Sequence, residues 1–441
     1  MVEIEISTNL IPEFNYVVEV LFDRILGIPY SIINSKGLKH ILIKVNSAEI
    51  IIPGDFWKLN EYFKKDNIPE KIFFSENQFI SEKNIPVIFG NDLIHQVDGT
   101  IYCGIDIFAS AFFMLTRWEE AFSDLKDEHG RFPASECLAY KNNFLKRPVV
   151  NEYAELLWTL LTHLGYRGNR ISREFRIIPT HDIDQFRYWD QKKIKHLIKN
   201  LLGDIFIRQN PSLSGRRLWS FVSTLLGGKD PYNKFEYLMT KAESVGSKAR
   251  FYFIAGGITA YENNYSVLDR KVRREIKSIN KRGHITGVHP SYNAYNNQEL
   301  LTEEVSQLKE VSGDEITESR NHYLRFEIKT TWHILQQAGL KTDSSMYFTD
   351  IPGFRCGVCD EFPVFDILQR KRLNLIERPL IVMDTSFKNK EPDVIYSEIL
   401  QLKDTVKKYN GDFVFLWHNS NIDTPEWESY KRIFEEAFYG K

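Results

Sequence analysis

From about residue 174 onward, short apolar runs alternate with stretches whose apolar residues recur every three or four positions. The first kind of run is typical of buried strands and the second of amphipathic helices. Repeated strand–helix alternation indicates parallel βα units, and six or more units favour a barrel. The predicted strands are Phe175–Ile178, Ala249–Ile254, His284–Val288, Thr342–Phe348, Leu375–Val382 and Phe413–Trp417, with helices that include Arg270–Lys281, Thr302–Val311 and Glu327–Ala338.

The first 150 residues have a different pattern. Strand candidates at Leu38–Val45 and Glu49–Pro53 are separated by Pro, Asn and Gly, and Ile105–Phe122 predicts a long apolar helix. We therefore expect a mixed α/β domain over residues 1–150 and a second domain over residues 151–441. Two predicted helices on either side of Asn210-Pro211 interrupt the second domain, so residues 194–229 are expected to be an inserted helical region.

Polar side chains with catalytic chemistry follow several of the predicted strands. In a barrel of parallel strands, the residues at the carboxyl ends of the strands share one face. A buried core histidine would explain any single one of these residues, but it explains their joint placement poorly. Two acids one residue apart also repel each other unless a cation or a proton lies between them. The residues in question are Asp182, Asp184, His289, Arg320, His322 and His418.

Four short segments carry a resemblance to a known family. In chain order they resemble the motifs of the NodB-homology polysaccharide deacetylases of carbohydrate esterase family 4. The resemblance implies a distorted (β/α)7 barrel, preceded here by a smaller mixed α/β domain. The four segments are Thr180–Asp184, Gly287–Tyr292, Ser319–Tyr323 and Phe415–Asn419.

The whole chain is similar to a bacterial subgroup of these proteins found near surface-polysaccharide genes. That subgroup joins the barrel to an N-terminal domain containing a stretch like Asp106–Glu120. Its barrel also carries segments like Asp343–Met346 and Gly353–Gly357. The resemblance is specific as to family and leaves the sugar and its linkage open.

The resemblance implies a metal-dependent hydrolase that removes N-acetyl groups from a sugar or polysaccharide. A divalent metal, with zinc the expected ion, would polarise the acetyl carbonyl. A backbone N–H near Tyr323 would help to stabilise the oxyanion. The roles implied are Asp182 as base, Arg320 as the residue that orients it, His418 as acid with Asp384 behind it, Asp184, His289 and His322 as metal ligands, and Trp417, Arg355 and Tyr323 as substrate contacts.

The second motif departs from the family pattern. It usually contains two histidines four residues apart, but the fourth residue after His289 is Asn293. Catalytic zinc normally keeps three protein ligands and a water molecule. We therefore expect His322 to supply the third ligand, with Asn293 or Ser291 as weaker alternatives. A harder metal, or no metal, is the other explanation left open.

Three rival functions follow from the same residues. A metal-independent, allantoinase-like amide hydrolase fits the missing histidine, and a catalytically inactive glycan-binding barrel fits a degenerate second motif. A glycosyltransferase that holds a nucleotide sugar through Asp182-x-Asp184 is less favoured. No Gly-rich phosphate-binding loop precedes that pair, and His289 and His418 would have no role in it.

Composition narrows the partners and the compartment. A formal net charge of −2 over 441 residues gives no overall field to attract nucleic acid or an anionic membrane. The N-terminus lacks a signal-peptide pattern, and no apolar run approaches the roughly 20 residues that cross a bilayer. We therefore expect a cytoplasmic protein without a membrane span, whose partner is an N-acetylated saccharide. Its four cysteines are expected to be reduced thiols, and its oligomeric state stays open.

Overall fold

The computed structural model describes residues 1–189, 194–262, 265–387, 390–422, 424 and 427–440. The chain forms two compact units, each assembled from three stretches of sequence. The first unit is Met1–Arg176, Tyr323–Ile381 and Asp404–Phe413, and the second is Ile177–His322, Val382–Lys403 and Val414–Lys441. Residue 150, the predicted domain boundary, lies inside the first unit.

The described residues form a mixed α/β structure with several sheets. The strands are β1 Val2–Ile6, β2 Tyr30–Asn34, β3 His40–Val45, β4 Ala48–Pro53, β5 Phe73–Ser75, β6 Ile85–Val87, β7 Gly90–Val97, β8 Thr100–Ile105, β9 Arg176–Ile183, β10 Arg250–Phe253, β11 Ile285–Val288, β12 Glu318–Ser319, β13 Thr342–Asp343, β14 Phe362–Asp366, β15 Lys371–Glu377, β16 Val382–Met383 and β17 Asp412–Leu416. The helices are α1 Ile11–Val18, α2 Ile107–Thr116, α3 Leu138–Lys141, α4 Val149–His163, α5 Ile194–Phe206, α6 Pro211–Leu225, α7 Phe235–Ser244, α8 Arg270–Lys281, α9 Gln298–Ser312, α10 Thr331–Gln337, α11 Pro392–Lys408 and α12 Lys431–Ile433.

The first unit contains a six-stranded sheet in the order β2-β1-β3-β4-β8-β7. Buried and partly exposed residues alternate along β1, as expected for a strand with one face on the core. The predicted helix Ile105–Phe122 is divided. Asp106 caps α2 by accepting a hydrogen bond from Ala109 N at 2.9 Å, and Arg117 ends it in a left-handed conformation before a short 3-10 helix.

The second unit contains strands adjacent in the order β12-β11-β10-β9-β17-β16. The pairs β9–β10, β10–β11, β11–β12 and β16–β17 are parallel. Register places Ile183 opposite Phe253, Phe253 opposite Val288, and Val288 opposite Ser319. The carboxyl ends of these four strands are therefore level. Closure into a (β/α)7 barrel remains a prediction.

Predicted elements differ in how far they extend. Helix α8 has the predicted bounds, and α9 is longer than expected because Asn297 caps it through Leu300 N. Strand β9 continues past Pro179 to Ile183, five residues beyond its predicted end. The predicted inserted region contains the helices α5 and α6. Within the described residues, every helix is too short or too polar to cross a membrane.

Candidate active site at the strand ends

Five titratable side chains meet at the carboxyl ends of the strands of the second unit, and we refer to them as the strand-end site. Asp182 is the last but one residue of β9, and the other four residues follow the ends of β9, β11, β12 and β17. Because β9, β11 and β12 end level in one parallel sheet and β17 neighbours β9, the residues that follow these strands share one edge. The five residues are Asp182, Asp184, His289, His322 and His418.

Asp184 lies at the centre of this group. Its Oδ1 is 3.2 Å from His289 Nε2 and 3.7 Å from His322 Nε2, and its Oδ2 is 3.5 Å from His418 Nε2. One ligand atom each from Asp184, His289 and His322 lie within 4.8 Å of one another. The structure thus brings together the three residues that were predicted as metal ligands.

The spacing of these three donors fits a divalent cation. Two ligands about 2.0–2.1 Å from a tetrahedral zinc ion lie about 3.3 Å apart. The two distances from the Asp184 oxygen, 3.2 and 3.7 Å, are close to that value. Two imidazoles and a carboxylate are also a donor set that zinc accepts in catalytic sites. Asp184, His289 and His322 are therefore the residues that would hold such an ion.

The second ring nitrogen of His289 is hydrogen-bonded, and that of His322 faces a carboxylate. His289 Nδ1 lies 2.5 Å from the carbonyl oxygen of Arg320, which only accepts, so in the neutral imidazole Nδ1 carries the proton and Nε2 has the lone pair that a metal requires. His322 Nδ1 faces the buried carboxylate of Glu262, 3.9 Å from Oε1. That carboxylate also accepts hydrogen bonds from the backbone N–H groups of Thr259 and Tyr292. Such outer partners fix the orientation of metal-binding histidines.

Asp182 has a different environment from Asp184. Its Oδ1 accepts a hydrogen bond from Arg320 Nη1 at 3.0 Å, while Oδ2 lies 3.7 Å from His289 Nε2. Arg320 is fully buried, donates from the same nitrogen to Thr180 Oγ1 at 2.8 Å, and lies 4.8 Å from the ring centre of Tyr252. The guanidinium therefore fixes one oxygen of Asp182 and leaves the other directed at the site.

The electrostatics of the site favour the charged forms of Asp184, His289 and Glu262. Burial opposes ionisation of Asp184, but His289, His322 and His418 together lower its pKa. Burial lowers the pKa of His289, but Asp182 and Asp184 outweigh it, so that pKa is raised. Burial also opposes ionisation of Glu262, yet His322 and nearby donors lower its pKa to about 2.

His418 is held by a carboxylate behind it. Its Nδ1 lies 2.8 Å from Asp384 Oδ1, and its backbone N–H donates to Asp384 Oδ2 at 2.8 Å. Asn421 Nδ2 also donates to Asp384 at 2.8 Å. Burial lowers the pKa of His418, but Asp384 and the two site aspartates outweigh this and raise it to about 10. The arrangement supplies an imidazolium whose Nε2 proton faces the site.

Asn293 and His322 lie in contrasting surroundings. Asn293 is exposed and precedes a 3-10 helix over Ala294–Asn296. His322 is buried beside Asp184. Ser291 is buried too, with its backbone N–H donating to Glu304 Oε2 at 2.9 Å. Of the three candidates for the third ligand, His322 is the one that lies in a group with Asp184 and His289.

The three residues predicted to contact the substrate belong to different units of the chain. Trp417 is buried, donates from Nε1 to Asn421 O at 2.8 Å and packs against Phe434. Arg355 belongs to the first unit, where its guanidinium is paired with Glu120. Tyr323 also belongs to the first unit and has a left-handed φ of 58°. Contact of these three residues with a sugar stays a prediction.

Sequence reasoning missed two buried carboxylates. Glu262 lies in a loop without a recognisable pattern, so nothing in the sequence singled it out. Glu304 lies on the inner face of α9, between the buried residues Leu301 and Leu308, and burial raises its pKa to about 7. An acid at an apolar position of an amphipathic helix is a visible signal.

The N-terminal part of the chain matches a known family model. A family of unknown function, DUF7033, matches residues 2–166, just over a third of the chain. No curated protein matches the sequence.

Several solved structures match part of the chain at low identity. A Mycobacterium smegmatis protein described as a polysaccharide deacetylase is 14% identical, with 61% of this chain and 85% of that chain covered and a TM-score of 0.36. A pseudoenzyme of the CE4 family from Bacillus anthracis is 10% identical, with 60% of each chain covered and a TM-score of 0.30. A polysaccharide deacetylase from Bacillus cereus is 14% identical, with 48% of this chain and 82% of that chain covered and a TM-score of 0.26. TM-scores below 0.5 do not establish a common fold, so the chemistry has to be inferred from the residues of this site.

Proposed function

We propose that this chain is a metal-dependent hydrolase that removes N-acetyl groups from a sugar or polysaccharide. It would cleave a C–N bond other than a peptide bond. The observation that carries the proposal is the three-donor set of Asp184, His289 and His322 beside the two pairs Asp182–Arg320 and His418–Asp384. A set of metal ligands flanked by a base and an acid is suited to hydrolysis of an unreactive amide. The resemblance of the four sequence motifs to carbohydrate deacetylases points to the same chemistry.

The two aspartates of the strand-end site would have different roles, Asp184 as a metal ligand and Asp182 as the base. Asp184, His289 and His322 would hold a divalent cation, which when bound supplies Lewis-acid polarisation of the amide carbonyl and acidifies water. Asp182 has Oδ1 held by Arg320 and is left to accept the proton of the attacking water on Oδ2. His418 then donates its Nε2 proton to the leaving nitrogen, and Asp384 stabilises the imidazolium before transfer. Cleavage of the C–N bond leaves acetate and the free amine.

The third-ligand assignment is tested by metal content. Purified wild-type protein, His322→Ala and Asn293→Ala are dialysed against zinc buffer and assayed by elemental analysis. We expect about one equivalent of metal in the wild type and in Asn293→Ala, and a clear loss in His322→Ala because two ligands hold zinc poorly. Loss of metal only in Asn293→Ala would move the third ligand to Asn293.

The reaction is tested by acetate release from N-acetylated oligosaccharides and nucleotide sugars, with and without a chelator. Acetate that disappears on chelation and returns with zinc supports the proposal. Activity that survives chelation would instead support an allantoinase-like hydrolase. Glycan binding without acetate release from any substrate would support an inactive glycan-binding protein.

A further inference from the structure

The inserted helical hairpin of the second unit, α5 and α6 with the residues to 229, has polar contacts on its buried side. Its inner side contains a buried ion pair, in which Arg217 Nε donates to Asp204 Oδ2 at 2.7 Å. Arg217 also donates to the hydroxyl of Tyr188, and Ser214 is buried near Leu201. Globular proteins normally place apolar side chains inward and charges outward. Here the polar contacts are inside.

The outer side of the hairpin is apolar. Leu218, Val222 and Leu225 recur at helical spacing on α6, and a similar stripe runs along α5. Large exposed apolar patches of this kind mark sites that contact another apolar phase. The exposed apolar side chains, with exposures from 36% to 83%, are Ile198, Leu202, Ile205, Phe206, Ile207, Leu218, Trp219, Val222, Leu225 and Leu226.

The hairpin is also basic in a chain that is slightly acidic overall. Residues 194–229 contain six Lys and Arg against one Asp, a net charge of +5, although the whole chain carries −2. Among the described residues, two of these cations contact carboxylates outside the hairpin, Arg216 with Glu428 and Lys229 with Glu236. The hairpin together with those two acids still carries a net charge of +3.

We propose that this hairpin is a peripheral membrane-binding element that lies in the interface of an anionic lipid bilayer. Basic amphipathic helices with Trp, Phe and Leu on the apolar face bind in this way, because apolar burial and attraction to anionic lipid add together. Helix α6, with 15 residues, is about 22 Å long, shorter than the roughly 30 Å hydrocarbon core. The hairpin therefore lies along the surface. A second copy fits less well, since a symmetric interface would bring two positive hairpins together.

The test is flotation of the full chain with vesicles of phosphatidylcholine alone or with one quarter phosphatidylglycerol. We expect the wild type to float with the anionic vesicles, and to float less with neutral vesicles or at high salt. The affinity of the double variant Trp219→Ser/Leu226→Ser for anionic vesicles should fall by about tenfold or more, because two large apolar side chains no longer enter the interface.

The matched control is Ile258→Ser/Val394→Ser, which removes two exposed apolar side chains of the second unit outside the hairpin. It should bind like the wild type. Equal binding of the hairpin variant and the wild type, or no binding of the wild type to anionic vesicles, overturns the proposal. If the wild type does not bind vesicles but dimerises in sedimentation velocity, and Trp219→Ser/Leu226→Ser does not dimerise, the apolar face would be assigned to contact with a second copy. Acetate release is not part of this test, so its outcome is independent of the proposed activity.

Discussion

Two buried regions of this chain are rich in charged side chains, but only one of them has the geometry of a reactive site. In the first unit, a buried ion cluster joins Arg117, Glu119, Glu120 and Arg355. Arg117 donates to Glu119 at 2.6 Å and to Glu120 at 2.9 Å, and Arg355 Nε donates to Glu120 at 3.0 Å. Two cations and two anions neutralise one another within hydrogen-bond distance.

The strand-end site is arranged differently. Asp184 lies 3.2, 3.7 and 3.5 Å from three imidazole nitrogens, and two of these distances exceed a normal hydrogen bond. The ligand atoms face a common point instead of forming separate hydrogen-bonded pairs. This arrangement is better suited to binding a cation than to stabilising the side chains through their own contacts. Buried charge alone therefore does not define a candidate metal site, whereas convergence of metal-binding atoms does.

The largest effect is expected from the base of the strand-end site. Asp182→Asn should lower the rate of acetate release by about 10²–10⁴-fold, the usual contribution of a general base. Metal content should remain that of the wild type, because Asp182 is held by Arg320 and lies outside the three-donor set. The matched variant Asp184→Asn should lose metal. The opposite pattern would mean that the roles of the two aspartates are exchanged.

Breaking the buried ion cluster should affect folding instead. Arg355→Ala leaves Glu120 with only one cation, and removing one partner of a buried pair costs about 3–5 kcal/mol. Urea denaturation measures the change. In the double variant Arg355→Met/Glu120→Gln, part of the stability should return because the buried carboxylate is gone. If Arg355→Ala has a wild-type urea midpoint, the cluster contributes no net stability.

The outer partner of His322 should have a smaller effect on metal affinity. Glu262→Gln keeps the size of the side chain but removes the charge facing His322 Nδ1. We expect the zinc dissociation constant to rise about 10–100-fold, the usual result of removing such a partner. Competition with a coloured chelator measures it. Glu304→Gln, another buried carboxylate near the same loops, is the control that should change affinity less.

The smallest effect is expected from an exposed ion pair. Arg432 donates to Glu436 at 3.0 Å, with both side chains largely exposed. Exposed pairs contribute little, because water and salt screen them. Arg432→Ala should therefore leave the urea midpoint and the metal content unchanged. A shift of the urea midpoint as large as that of Arg355→Ala would contradict the expectation that buried ion pairs contribute more to stability than exposed ones.

The net charge of the chain shows how a global sequence property can mislead. A charge of −2 predicts no attraction to an anionic membrane, yet residues 194–229 carry +5. The sequence also predicts two helices there, and both are present as α5 and α6. It does not reveal that the polar stripe faces inward, because periodicity defines the stripes of a helix but not which one is covered.

The sequence by itself determined the alternation of strands and helices and the chemistry placed after each strand. Both depend on short-range patterns, and neighbouring parallel strands bring their following residues together in any such sheet. Tertiary structure decided which of these residues meet. His322 is buried beside Asp184 while Asn293 is exposed, and Arg355 pairs with Glu120, 235 residues away in the chain. Contacts of that kind depend on how distant segments pack, and local periodicity carries no information about them.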